Sequence, residues 1–73
     1  MTSLEELSNL YSTIIQEIEN FEIEEELLER LIEERPTFRD KYINELLIIK
    51  KRKEIYDDML DLIKKDIIQV LKK

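Results

Sequence analysis

The sequence predicts an all-α fold, an antiparallel helical hairpin with coiled-coil-like packing, and three observations carry that expectation. The 73 residues include one proline, Pro36, near the midpoint, and no glycine. On both sides of Pro36 apolar residues recur at alternating steps of three and four, the spacing of a coiled-coil seam. Lys, Glu, Ile and Leu dominate the composition, as in long-helix proteins rather than disordered ones. Proline has no amide donor and clashes with the preceding turn, so it ends or kinks a helix. Two helices folded back about Pro36 satisfy all three observations within a single domain covering 1–73.

The first helix is expected over about 4–34. Ser3 is a suitable N-cap, and Glu6 three residues later completes a capping-box pattern. Its seam reads Leu4, Leu7, Tyr11, Ile14, Ile18 and Phe21, skips Glu25, and resumes at Leu28 and Ile32. At 100° per residue the apolar arc of residues 4–18 and that of 21–32 are displaced by roughly a third of a turn. A break near Glu19–Asn20, with Asn20 as a left-handed C-cap, therefore stands as the alternative and gives three helices. The turn is expected at about 35–37. The second helix is expected over about 38–72, with Thr37 and Asp40 forming a weaker capping pattern. Its seam reads Tyr42, Leu46, Ile49, skips Lys53, and continues through Tyr56, Leu60, Ile63, Ile67 and Val70.

The apolar surface is wider than these seams. Leu10, Ile15, Ile23, Leu27 and Leu31 lie off the first; Leu47, Ile48, Ile55, Met59 and Leu62 lie off the second, as do Ile43, Ile68 and Leu71. Two helices cover only one face of each other, so this surplus predicts burial against a protein. The first ten residues of this group are the candidate interface. The occupant is either a second copy, making a homodimeric four-helix bundle, or a larger complex on which the chain docks as an accessory subunit.

Charge and composition narrow the function classes. Cysteine and histidine are absent, which excludes disulfides, thiolate metal sites and the commonest general base. No apolar run approaches the roughly 18 residues of a membrane span, and MTSLEEL lacks the regions of a signal peptide. The expectation is a cytoplasmic protein with no catalytic residues, cofactor, metal or small-molecule substrate, and no membrane partner. Asp57, Asp58, Asp61 and Asp66 are read as solvated charges, because a pair of carboxylates on one face is few for a metal. Tyr11, Tyr42 and Tyr56 are expected in the seams with hydroxyls at the rim. Arg35 and Arg39 flank the turn and are read as solvating it. The segment IEEELLERLIEER, residues 23–35, resembles the first helix of chorismate-mutase-like proteins in Glu/Leu/Arg composition, and no site carries across.

Residues 1–37 hold 11 glutamates against Arg30 and Arg35, a net of −9, and residues 38–73 hold 10 basic and 7 acidic residues, a net of +3, which together make the total of −6. Folding at Pro36 makes antiparallel partner numbers sum to about 73. The basic run Lys50-Lys51-Arg52-Lys53 then lies opposite residues 20–23, beside Glu19, Glu22, Glu24, Glu25 and Glu26. Intramolecular charge matching is the expectation for it. Glu25 and Lys53, the charges that interrupt the seams, fall about one helical turn apart and are read either as a register-setting pair or as side chains reaching water at the seam edge. The alternative function is a small helical nucleic-acid-binding regulator using Lys50, Lys51, Arg52, Lys64 and Lys65, with Lys72 and Lys73. Against it, four consecutive helical residues spread over about 300°, and the net charge is negative.

Overall fold

The computed structural model describes residues 3–72 and is a two-helix hairpin. Helix α1 runs Leu4–Glu34, a 3-10 turn η1 spans Pro36–Phe38, and helix α2 runs Arg39–Lys72. The helices pack antiparallel along their length in a body of 57 × 15 × 15 Å. No helix among the described residues is long and apolar enough to cross a membrane.

Helix α1 begins where its chemistry directs. The Glu6 amide donates to Ser3 Oγ at 3.1 Å, satisfying one of the amides a helix start leaves free. The helix does not break at Asn20. It continues for 31 residues, and none of the described residues takes a positive φ, so Asn20 is not a left-handed cap and the three-helix arrangement is not adopted. The Gln16 amide instead donates to Asn20 Oδ1 at 3.4 Å across one turn. The displaced apolar arcs join because Glu25 occupies the seam position they leave open.

The reversal is tighter and later than a corner at Pro36. Arg35 leaves the helical region, at φ −132° and ψ 71°, since a following proline disfavours the α conformation. Its amide still donates to the Leu31 carbonyl at 2.8 Å. Pro36 then opens the 3-10 turn, where its missing amide costs nothing, and the Phe38 amide closes that turn on the Arg35 carbonyl at 3.1 Å. Thr37 lies inside the 3-10 turn, so the capping role expected for it before the second helix is not used. Phe38 stays half-exposed, its edge on the Tyr42 ring at a centroid separation of 6.4 Å.

This turn resets the register. Phe21 packs on Tyr56, ring centroids 5.3 Å apart and planes tilted by 41°, and Lys53 meets both Glu22 and Glu25. Partner numbers in these contacts sum to 75, 77 and 78, somewhat above 73, so the side chains meet as if the chain reversed one to three residues beyond the proline. In heptad terms these seam contacts pair d with d, Phe21 on Tyr56, and a with a, Glu25 on Lys53. Leu7, Ile14, Ile18, Leu60 and Ile63 form the main core, with Tyr11, Ile15, Tyr56 and Ile67 packed on it. Leu28 and Ile49 are also buried, on the turn side of the Glu25–Lys53 layer.

Exposure separates residues that composition treats alike. Ile14 is 2% exposed and Ile23 is 64% exposed. Replacing Ile14 with Ala is expected to cost about 2–4 kcal/mol through lost burial and a cavity, whereas Ile23→Ala should change stability by less than about 0.5 kcal/mol. Urea unfolding followed by circular dichroism measures both.

Candidate functional site

Two features of the hairpin go beyond holding it together: a charged layer inside the seam, and an apolar lateral face outside it.

The charged layer is made by Lys53. Its Nζ lies 3.6 Å from Glu25 Oε1 and 3.5 Å from a Glu22 carboxylate oxygen. The Lys53 and Glu25 side chains are 27% and 16% exposed, so the pair sits at the margin of the seam, partly covered and partly in contact with water. Glu25 Oε1 is fully covered and has no hydrogen-bond partner, leaving the ion pair as its compensating contact. Burial works against the ammonium charge, but attraction from Glu25 and then Glu22 outweighs it and holds the Lys53 pKa above its ordinary 10.5.

The rest of the basic run is not matched internally. Among the described residues the cross-helix ion pairs are those of Lys53. Lys50, Lys51 and Arg52 are exposed and point to different sides. Lys50 and Lys51 share heptad positions with Asp57 and Asp58, and these share them with Lys64 and Lys65. The outer surface of α2 thus alternates in sign from one heptad to the next and offers no continuous positive face. The five aspartates of α2 are exposed, and no group of three potential metal-ligating side chains comes together among the described residues. Lys72 ends α2 exposed, and Lys73 lies outside the described residues.

The lateral face arises from a second row of α2. Ile48, Arg52, Ile55, Met59 and Leu62 follow one another at steps of four, three, four and three, beside the primary seam by about 100°. In an antiparallel pair the corresponding flank of α1 falls on the same side. That flank carries Leu10, Leu27 and Leu31. Between the two helices this side opens as a groove lined by Glu17, Phe21, Arg52, Ile55, Tyr56 and Met59. The opposite side has its own shallower apolar recess near the open end, between Ser8, Tyr11 and Ser12 of α1 and Lys64, Ile67 and Ile68 of α2.

Of the ten residues expected at an interface, Leu10, Leu27, Leu31, Ile48, Ile55, Met59 and Leu62 belong to the groove side. All but Leu31 are exposed. Ile15 and Leu47 flank the seam on the other side, where Ile15 packs on the core. Ile23 projects from the back of α1. Sequence reasoning missed the polar members of the face, Glu17 and Arg52. The signal for them was the 48–52–55–59–62 spacing, which makes Arg52 part of an apolar row rather than of a basic run.

The chain matches no protein-family model, no curated protein and no solved structure.

The Lys53 layer carries a prediction with a defined sign. Because the folded pKa is raised, the stability Lys53 contributes is fully present below pH 10.5 and is lost as pH rises through the raised value. Lys53→Met should cost about 1–3 kcal/mol at pH 7, since it strands the Glu25 carboxylate in the seam. The double variant E25L/K53L should be at least as stable as the unsubstituted chain. Urea titrations of the three proteins between pH 7 and 11 read this out, and the deficit of K53M should shrink only at the alkaline end.

Proposed function

We propose that this chain is a protein–protein interaction module that buries its groove-side face against another polypeptide, either a second copy or a subunit of a larger complex. The observation that carries this reading is the row Ile48, Ile55, Met59 and Leu62, exposed at coiled-coil spacing on a helix whose primary seam is already occupied. Each of these side chains is 39–61% exposed. Apolar groups scattered singly on a surface need no explanation, but a contiguous row at helix-packing spacing marks an interaction site. Leu10 and Leu27 extend the same side onto α1. The site contains groups for packing and register and none arranged for bond-making, so binding rather than catalysis is the activity proposed.

A second reading has one observation in its favour. Lys50, Lys51, Lys64 and Lys65 are exposed and free of ion pairs among the described residues, which suits nucleic-acid contact. Asp57 and Asp58 between them, and the net charge of −6, weigh against a phosphate-binding stripe.

One pair of variants tests both readings. I55E/L62E should abolish retention of polypeptides, whether further copies of the chain or other subunits, when the tagged chain is recovered from its native cells. K50Q/K51Q/K64Q/K65Q should retain them and keep its stability within about 0.5 kcal/mol. Labelled duplex and single-stranded DNA and RNA, titrated at two salt concentrations, should show no specific affinity for either protein. Submicromolar nucleic-acid binding at physiological salt that collapses in the quadruple variant would replace the protein-binding reading with the second one.

A further inference from the structure

We propose that the occupant of the groove-side face is a second copy of the chain, docked about a two-fold axis that passes beside Met59 at right angles to α2. The inference rests on the interaction-module reading and gives it a partner, a register and an orientation.

The row along α2 is self-complementary about Met59. Ile55 lies four residues before it and Leu62 three after; Arg52 lies seven before and Asp66 seven after. An antiparallel copy placed on this row therefore sets Met59 against Met59 of the second copy, Ile55 against its Leu62, and Arg52 against its Asp66. The apolar centre occurs once and the other two contacts occur twice, as an isologous interface requires. Layers of this kind already hold the hairpin together, where a pairs with a and d with d.

Helix α1 supplies an independent match. The hairpin contacts set Met59 level with residues 16 to 19 of α1. Leu10 and Leu27 lie eight or nine residues to either side of the level between Ile18 and Glu19, which falls within that range. The same axis thus brings Leu10 level with Leu27 of the second copy, and the acidic Glu17 level with the neutral amide of Asn20. Ile55, Met59 and Leu62 on α2 and Leu10 and Leu27 on α1 are matched about one level, while Ile48 falls opposite Gln69 at the edge of the contact.

The other two-fold arrangement fails this comparison. An axis parallel to the helices would lay α2 on α1 of the second copy. Ile55, Met59 and Leu62 would then face Asn20, Glu17 and Thr13 respectively, burying apolar groups on polar ones. Size is also consistent. One lateral face of a body 57 Å long and 15 Å wide is on the order of 800 Å², the share each partner contributes to a standard interface. Interfacial charge pairs such as Arg52–Asp66 set register and orientation more than affinity.

The native chain has no cysteine, so introduced thiols report geometry directly. A disulfide needs Cα atoms about 4.4–6.8 Å apart. Met59→Cys should therefore form a symmetric disulfide dimer under mild oxidation. Ile55→Cys and Leu62→Cys should each cross-link poorly alone, because like positions are displaced by about 11 Å along the helix. Mixed together, they should give the heterodisulfide.

Sedimentation equilibrium at micromolar concentration should return twice the mass of 8.9 kDa. R52E should weaken the dimer on the order of tenfold, by opposing two pairs of like charges, and R52E/D66R should restore it. Circular dichroism should remain helical for all of these variants.

A helical chain that stays monomeric at tens of micromolar overturns the proposal. So does a dimer in which Met59→Cys fails to cross-link or R52E/D66R fails to rescue. If the monomeric chain still retains a different polypeptide through Ile55 and Leu62, the interaction-module reading survives without the second copy. A dimer indifferent to I55E/L62E overturns both.

Discussion

A carboxylate and an ammonium placed in the middle of two apolar seams tolerate one alignment of the helices. Glu25 and Lys53 meet across the hairpin at 3.6 Å, and the other layers follow from that contact. A slip of one heptad would set each charge against Leu or Ile and leave two half-buried ions unpaired, a larger loss than any single apolar contact could offset. The layer adds little stability relative to an apolar pair. Its effect is to make the alternatives worse, which is how polar residues in coiled-coil seams specify register. The Phe21–Tyr56 contact beside it, the buried Leu28 and Ile49 beyond it, and the lateral groove are all positioned by this alignment.

The same alignment explains why the core is thin. Each helix buries one narrow stripe, and the buried side chains amount to Leu7, Ile14, Ile18, Leu28, Ile49, Leu60 and Ile63. A chain of this size recovers a small share of its unfolded surface by folding alone. The surplus apolar groups are not spread evenly. Half of those on α2, Ile48, Ile55, Met59 and Leu62, form one row, and Leu10 and Leu27 continue it on the same side of α1. Seam and groove are thus two consequences of one periodicity, the first satisfied within the chain and the second left facing outward.

Electrostatics acts at two ranges in this molecule. The acidic α1 and the mildly basic α2 attract as whole helices, an effect screened within about 10 Å by salt. Among the described residues only Lys53 converts that attraction into contact. Its neighbours Lys50, Lys51 and Arg52 leave the interface because 100° per residue turns them away from the seam. Acidic residues at the intervening heptad then break the positive surface that the linear run suggests.

Helix type, both seams, the Ser3 cap and the presence of one reversal were legible in the sequence, because each depends on neighbours within a few residues. Leu7, Ile14, Ile18, Leu60 and Ile63 belong to the core by spacing alone. The register was not legible. It depends on whether Pro36 is the apex or the first residue of a 3-10 turn, and local propensity does not distinguish these. The continuity of α1 through Asn20 was likewise a tertiary matter, since Glu25 bridges two apolar arcs only when Lys53 stands opposite. For the same reason the sequence listed the surplus apolar residues but did not sort Ile15, Ile23 and Leu47 from the groove side. A residue's angle about its own helix follows from its number, but which side of the molecule that angle faces exists only once a second helix lies beside the first.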